Sequence, residues 1–238
     1  MSRALMVRSI PLSSTTRNAW KSAGAMFARR ERNAMQVQGI ANGRPIINLG
    51  GSTMNIEGSW NNAPVIAPLL TPAASRDKLG SLMPSNEWLG EGYYWLKGQG
   101  RGGANKEKVY VSTAYSHNEL MVRANWMNGD VQQNIVGTEY RVVTVGTKVV
   151  QVTQRVDTSG QREYRWVGVR SAPTQVREIA KDAARMLGDD KIIIGWDVIL
   201  SDGEFQTAGI LEGNSCPGVN EATASRILDA VEGVRYAV

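Results

Sequence analysis

Three oxygen-bearing side chains near the end of the sequence have the spacing of a metal site. Glu212 and Asn214 are two residues apart in the stretch 210–214, so on a β-strand both side chains leave the same face. A carboxylate on an apolar strand needs a cation or a hydrogen-bonding partner. Mg²⁺, held by a few protein oxygens and by substrate phosphates, is the usual solution. Asp197 supplies a third oxygen if its strand pairs with that of Glu212.

The connection between these two strands decides whether the acidic residues meet. A two-residue turn after Ser201 would pair Asp197 with Ala208 and leave Glu212 about 13 Å further along the strand. Both side chains would then lie on the same face of the sheet, but they would be too far apart to form one site. The sequence therefore predicts a longer loop, from about Ser201 to Ala208, that brings Asp197 level with Glu212. The alternative is an edge hairpin with exposed acidic side chains.

A second candidate site is Lys97 with the glycine-rich segment that follows it, Gly98–Gly103. Glycines allow backbone N–H groups to approach phosphate oxygens, and a lysine at the end of a strand can neutralise phosphate charge. The GK[ST] ending and the following helix of a P-loop are missing, so an ordinary hairpin loop is the alternative. Lys78, taken alone, is a surface lysine at the start of a helix.

The periodicity of apolar residues predicts the elements that must position these side chains. It predicts a helix from about residue 17 to Met35, a strand over Pro45–Leu49 and a connecting segment over residues 53–75. The further predicted strands are Tyr93–Lys97, Val109–Thr113, Glu119–Met127, Glu139–Val145, Lys148–Arg155, Lys191–Leu200 and Phe205–Gly213, and the further helices run from Thr174 to Gly188 and over Glu221–Val231. Strands paired through hairpins, with helices on one side, predict an α+β fold.

The composition excludes several classes of protein. The single cysteine, Cys216, excludes an internal disulfide and a Cys-rich zinc site, and the single histidine, His117, excludes mechanisms that need two imidazoles. We expect Cys216 to be a packed thiol and His117 to lie in a turn. The sequence contains no run of about eighteen apolar residues, so we expect no membrane-spanning helix. The first residues are too polar for a signal peptide. We therefore expect a cytoplasmic protein.

The net charge of +5 is concentrated at the beginning of the chain. Eight basic residues against Glu31 alone give residues 1–50 a charge of +7, which leaves −2 for the rest. Such a segment could bind an anionic partner, and a solvated basic helix face is the alternative.

Taken in order, these segments resemble the ATP-grasp superfamily, and within it the glutamate ligases that modify ribosomal protein tails. The segments that carry the resemblance are Ser75–Leu79, Lys97 with its glycines, Glu139–Val142, Gln154-Arg155, the helix from Thr174, Gly195–Asp197 and Leu211–Gly218. The resemblance implies two α+β subdomains that clamp ATP, over residues 71–130 and 131–238. It also implies a reduced N-terminal domain over residues 1–70.

The resemblance further implies an ATP- and Mg²⁺-dependent carboxylate-amine ligase that forms an amide bond through an acyl phosphate. The matching positions are Lys78 and Lys97 for the phosphates; Gly100, Gly102 and Gly103 for the loop above them; the backbone of Met121, Val122 and Arg123 for adenine; Asp197, Glu212 and Asn214 for Mg²⁺; and Arg141 and Arg155 for the transferred phosphate. Phosphoryl transfer relies on positioning and charge neutralisation, so a chain with one histidine is no obstacle.

Two departures from the family pattern limit what can be transferred. Ala124 or Asn125 stands where an acidic residue often holds the ribose, and Arg165–Val167 stands where the glutamate ligases carry an asparagine. The carboxylate acceptor could therefore be a peptide, a protein or a small molecule, and the amine donor is equally open. A second subunit or the basic segment could help to hold the acceptor. The alternatives are a kinase-like member that stops at phosphorylation and a non-catalytic binding or structural protein with this fold.

Overall fold

The strands that the structure describes form three sheets. The computed structural model describes residues 5–7, 26–28, 46–48, 59–60, 72–98, 106–158, 163–169, 171–187, 193–214, 217 and 219–235. Within these residues the fold is α+β, as the sequence predicts. The division at residues 70 and 130 stays a prediction.

The first sheet is parallel, with the order β2-β1-β3-β4. Its strands are β1 (Leu5–Val7), β2 (Met26–Ala28), β3 (Ile46–Asn48) and β4 (Ser59–Trp60). The strand predicted around β3 is confirmed. The helix predicted over residues 17–35 is wrong at β2, which pairs in parallel with β1. Periodicity alone does not assign such short apolar runs to a helix or a strand.

The second sheet is antiparallel, with the order β6-β5-β7. It follows helix α1 (Pro72–Leu79), and its elements are β5 (Gly92–Lys97), β6 (Lys106–Val111), helix α2 (Ala114–Trp126) and β7 (Asp130–Gln133). One face packs on α2 through a core that includes Tyr94 and Leu96. Because side chains alternate along a strand, Lys97 points to the other face, together with Trp95.

Helix α2 replaces the strand predicted over Glu119–Met127. The side chain of Thr113 accepts a hydrogen bond from the backbone of Ser116, and the side chain of Ser116 accepts one from the backbone of Thr113, which is a complete capping box. Leu120 and Ala124, four residues apart, are buried on the inner side of the helix. His117 is also buried in this helix, so its predicted place in a turn is wrong.

The third sheet is antiparallel, with the order β10-β9-β8-β11-β12. Its elements are β8 (Gly137–Val145), β9 (Lys148–Thr158), β10 (Glu163–Gly168), helix α3 (Thr174–Leu187), β11 (Ile193–Ser201), β12 (Ala208–Asn214) and helix α4 (Glu221–Arg235). The predicted hairpin is confirmed, and Gly146 supplies a positive φ of 54° in its turn.

Helices cover the two faces of this sheet unequally. Helix α3 packs on one face, where Trp196 and Val198 are fully buried. Helix α4 contacts β8 and β9, and the hydroxyl of Thr223 in α4 donates to the side chain of Gln151 in β9. The same face also carries the charged residues described below. None of the described helices is long and apolar enough to cross a membrane.

Candidate active site

A row of polar side chains crosses four neighbouring strands of the third sheet. Thr153 in β9 is the cross-strand partner of Arg141 in β8, which is the partner of Asp197 in β11. Asp197 in turn lies opposite Glu212 in β12. Cross-strand partners have Cβ atoms about 4.5–5.5 Å apart, so the row places a cation and two carboxylates side by side.

The loop between β11 and β12 and a bulge in the pairing together produce this alignment. The loop pairs Leu200 with Ala208, which in regular register would place Asp197 opposite Leu211. Residues 202–207 connect the two strands, and the backbone N–H of Ser201 donates to the carbonyl of Thr207 at 2.9 Å. The register shifts at a bulge between Asp197 and Val198. The prediction of a longer loop that brings Asp197 level with Glu212 is confirmed.

Asp197 and Glu212 share a crowded site. The Nε and one terminal nitrogen of Arg141 each donate to a carboxylate oxygen of Asp197 at 2.7 Å, and a hydrogen bond joins Asp197 to Glu212. Burial raises the pKa of Asp197, against the opposite effect of Arg141. Two adjacent carboxyl groups need a shared proton or a cation.

The donor set fits Mg²⁺. Asn214 follows two residues after Glu212 on the same strand face, and its amide nitrogen lies 3.4 Å from Glu212 Oε1. Two carboxylates and one amide are hard oxygen ligands of the kind that Mg²⁺ prefers. No group of three or more His, Cys, Asp or Glu side chains that could hold a metal ion occurs in the described residues, so any ion here would depend on Asn214 and on a substrate.

Two lysines of the second sheet reach this site. Lys97 is buried, and its Nζ donates to the carbonyl of Leu211 at 3.1 Å. Its cross-strand partner is Lys106, whose Nζ lies 2.9 Å from Glu212 Oε2. Burial and the charge of Lys106 lower the pKa of Lys97 to about 8. The two sheets therefore meet where cations of one face carboxylates of the other.

Lys106 also determines the ionisation of Glu212. Burial would raise the pKa of Glu212, but the Lys106 ammonium outweighs it and holds the pKa below its ordinary value. Sequence reasoning did not find Lys106. Lys106 lies across the glycine-rich hairpin from Lys97. This pairing can be predicted only when the length of the connecting loop is known.

Arg155 occupies a neighbouring position on the same face but has different partners. Its guanidinium binds Glu139 at 2.9 Å and Asp157 at 3.2 Å. The hydrogen bond to Glu139 raises the pKa of Arg155 above its ordinary value. Arg141 therefore contacts the carboxylate pair, whereas Arg155 contacts two other acidic residues, Glu139 and Asp157.

The remaining candidate residues are less closely connected to this site. Lys78 is exposed near the end of α1. Met121, Val122 and Arg123 lie within α2, where backbone groups bond within the helix. The strand predicted over these residues is therefore absent, and their assignment to adenine stays a prediction from the resemblance. Gly100, Gly102 and Gly103, like Cys216, lie outside the described residues.

Comparison with solved structures identifies the fold. An ATP-grasp ligase, PsnB, in complex with a minimal precursor is 14% identical with a TM-score of 0.61, and covers 98% of this chain and 99% of its own. The D-alanine–D-alanine ligase of Bacillus anthracis in complex with ATP is 12% identical with a TM-score of 0.56, over 99% and 94%. An ATP-grasp superfamily protein from Archaeoglobus fulgidus is 12% identical with a TM-score of 0.58, over 98% and 88%.

The chain has the ATP-grasp fold. No protein-family model matches the sequence, and no curated protein matches it. At 12–14% identity the similarity lies in the arrangement of the strands and helices. The similarity therefore shows the fold and not the activity.

Proposed function

We propose that this protein is an ATP- and Mg²⁺-dependent carboxylate-amine ligase that acts in the cytoplasm through an acyl phosphate. The observation that supports the proposal most strongly is the meeting of Lys97 and Lys106 with Asp197 and Glu212 between two sheets. Similar structures include an ATP complex of D-alanine–D-alanine ligase and PsnB complexes with Mg, ADP and a precursor. A peptide is accordingly one acceptor to test.

The two lysines are suited to bind the polyphosphate of the nucleotide. Lys97 is held at the end of β5 with its Nζ near β12, and Lys106 extends beside it from β6. A phosphate oxygen would replace the carbonyl of Leu211 and the carboxylate of Glu212 as their partners. Such charge-assisted hydrogen bonds fix the phosphates for in-line transfer.

Asp197, Glu212 and Asn214 would hold Mg²⁺. The hydrogen bond that joins the two carboxyl groups marks a place where a divalent cation can replace a shared proton. When bound, the ion would neutralise the negative charge that develops on the phosphates during transfer. The carboxylates are oriented beforehand, Asp197 by Arg141 and Glu212 by Lys106.

Arg141 is the residue best placed to bind the acceptor. Its guanidinium is fixed on Asp197, one strand beyond the carboxylate pair as seen from the lysines. An acceptor carboxylate oxygen attacks the γ-phosphorus, the bond to ADP breaks, and an acyl phosphate forms. The amine then attacks the carbonyl carbon, inorganic phosphate leaves with the former carboxylate oxygen, and the amine loses a proton.

Trapping the acyl phosphate tests this reaction. The protein is incubated with MgATP, pools of amino acids and short peptides, and hydroxylamine, and ADP and hydroxamate are measured together. A ligase releases ADP and forms hydroxamate only with a carboxylate present. ADP release with a stable phosphorylated product and no hydroxamate would indicate a kinase-like activity. No ADP release with any pool, despite nucleotide binding, would indicate a non-catalytic protein.

A further inference from the structure

A pocket lies beside Arg141, on the side away from the lysines. It has a volume of about 160 Å³ and is lined by Arg141, Val143, Gln151, Thr153, Trp166 and Asn220. Because Thr153 continues the row of Arg141, Asp197 and Glu212 across the sheet, the pocket opens on the same face as the carboxylate pair.

The pocket lining combines one cation with neutral polar groups. The Arg141 guanidinium donates two hydrogen bonds to the Asp197 carboxylate and lies 4.8 Å from the centre of the Trp166 ring. Among the described residues, no acidic side chain lines the pocket. A ligand group placed here would meet a fixed positive charge and an aromatic wall, which suits a carboxylate attached to an uncharged body.

Helix α4 orients two amides of the lining. The hydroxyl of Thr223 contacts the side-chain oxygens of both Gln151 and Asn220, and the Asn220 oxygen also accepts from the backbone N–H of Thr223. With their oxygens engaged in this way, these side chains offer their amide N–H groups to a ligand. They would bind carbonyl or carboxylate oxygens.

The size of the pocket limits the ligand. A volume of 160 Å³ corresponds to roughly five water molecules, at about 30 Å³ each in the liquid. This is room for one residue-sized unit, and the remainder of a longer acceptor would extend outside. Among the described lining residues Arg141 is the one cation, so an additional negative charge near Gln151 and Asn220 would find no second cation in that lining, which disfavours an acidic unit.

We propose that this pocket is the acceptor subsite and that it selects a single residue-sized carboxylate with an uncharged, hydrogen-bond-accepting body. The acceptor carboxylate binds Arg141, and its carbonyl or amide oxygens bind Gln151 and Asn220. This inference rests on the ligase function proposed above. It makes Gln151, Trp166 and Asn220 determinants of specificity. None of them was a predicted site residue, although Trp166 lies in the segment 165–167 that departs from the glutamate ligases.

Two probe molecules test the subsite directly. Binding of N-acetyl-L-glutamine and N-acetyl-L-glutamate is measured by saturation-transfer NMR with the Mg complex of a non-hydrolysable ATP analogue present. The wild-type protein should bind the glutamine probe more tightly than the glutamate probe. Gln151→Glu should weaken binding of the glutamine probe by roughly tenfold or more, because it places a like charge beside the ligand.

Matched variants separate a binding effect from a folding effect. Gln154 lies on the same strand but opposite Tyr140, a residue of the apolar core, so Gln154→Glu adds the same charge to the other face. Asn220→Asp keeps an oxygen that caps α4 and adds a charge to the pocket. We expect Gln154→Glu to leave probe affinity within about twofold, while Asn220→Asp weakens it like Gln151→Glu.

The outcomes distinguish this inference from the proposed function. Equal probe binding by wild type, Gln151→Glu and Asn220→Asp would overturn the subsite, as would nucleotide binding without binding of either probe. Probe binding with the predicted charge dependence but no nucleotide binding would support the pocket and contradict the ligase function. Tighter binding of the glutamate probe would overturn the proposed selectivity.

Discussion

The two faces of the third sheet are formed by the same strands and have opposite characters. Trp196 and Val198 point into the core under α3 and are fully buried. Asp197, which lies between them in the sequence, belongs to the polar row with Arg141 and Glu212. Alternation along a strand places neighbouring residues on opposite faces, so one strand contributes to the core and to the candidate site.

The difference between the faces explains how the polar row keeps its geometry. Strand backbones fixed by a packed core hold the charged side chains at cross-strand spacing. Ion pairs on the solvent side of α3, such as Lys181 with Glu178, lack that support and contribute little. The part-buried pair of Arg141 and Asp197 instead carries two hydrogen bonds of 2.7 Å. A rigid apolar face therefore supports a preorganised polar one.

Removing the largest side chain of the core face should have the largest effect. Trp196 is completely buried, and its Nε1 donates a hydrogen bond to the hydroxyl of Thr144 at 3.0 Å. We expect Trp196→Ala to lower the free energy of unfolding by about 3–5 kcal/mol. Trp126→Ala removes the same side chain where it is 87% exposed, and urea titrations should show little change. Equal losses in both variants would contradict the packing described here.

The next largest effect should come from the buried lysine of the polar site. Lys97→Met keeps the length of the side chain and removes its charge. We expect nucleotide affinity to fall roughly 10- to 100-fold, the equivalent of the about 1.5–3 kcal/mol of a hydrogen bond to a charged group. Lys148→Met, in the exposed β8–β9 hairpin, is the control in the same calorimetric titration. Unchanged nucleotide affinity in Lys97→Met would show that Lys97 does not contribute to nucleotide binding.

The lowered pKa of Lys97 predicts how nucleotide affinity depends on pH. With a pKa of about 8, Lys97 is charged below that pH and loses its proton as the pH rises through it. We expect affinity to fall by up to about tenfold between pH 7 and pH 9, since one pH unit above the pKa leaves roughly a tenth of the lysine charged. In Lys97→Arg the guanidinium stays charged, and the decrease should disappear. A decrease that persists in this variant would assign the titration to another group.

The smallest effect should come from Lys106, which is partly exposed. Its side chain retains 38% of its accessible surface, so solvent and salt screen its charge. Lys106→Met should weaken nucleotide binding only about two- to fivefold, in the range of an exposed ion pair. The difference from wild type should shrink in 0.5 M salt. A loss as large as that in Lys97→Met would mean that Lys106 is the principal phosphate ligand.

The parts of this site that the sequence predicts are those fixed by strand parity. Asp197 and Glu212 each lie in an apolar run, and the need for a longer loop between their strands followed from their spacing. The bulge that completes the alignment was not predicted. Lys97 was identifiable because it ends a strand before glycines. Arg141 was assigned through resemblance, and the structure places it directly beside Asp197. The alternation of residues along a strand and the position of Lys97 at a strand end can be recognised without knowledge of the tertiary structure.

The parts that the sequence did not predict depend on competition between local patterns and packing. Leu120, Met121 and Val122 form a continuous apolar run that favours a strand, whereas Leu120 and Ala124 have helical spacing. The capping pair of Thr113 and Ser116 was the signal for the helix. The acceptor pocket joins β8, β9, β10 and the start of α4, and such a combination follows only from the tertiary arrangement.

Mg²⁺-dependent nucleotide binding tests the central claim, that a nucleotide binds where the lysines of one sheet meet the carboxylates of the other. A non-hydrolysable ATP analogue is titrated by calorimetry, with and without Mg²⁺, into wild type, Glu212→Gln and Glu107→Gln. Glu107 is a glutamate in an exposed pair with Arg123, which makes it a matched control. We expect Mg²⁺-dependent binding in wild type and Glu107→Gln and its loss in Glu212→Gln. Binding that is equal in all three proteins, or absent from wild type, would contradict the account.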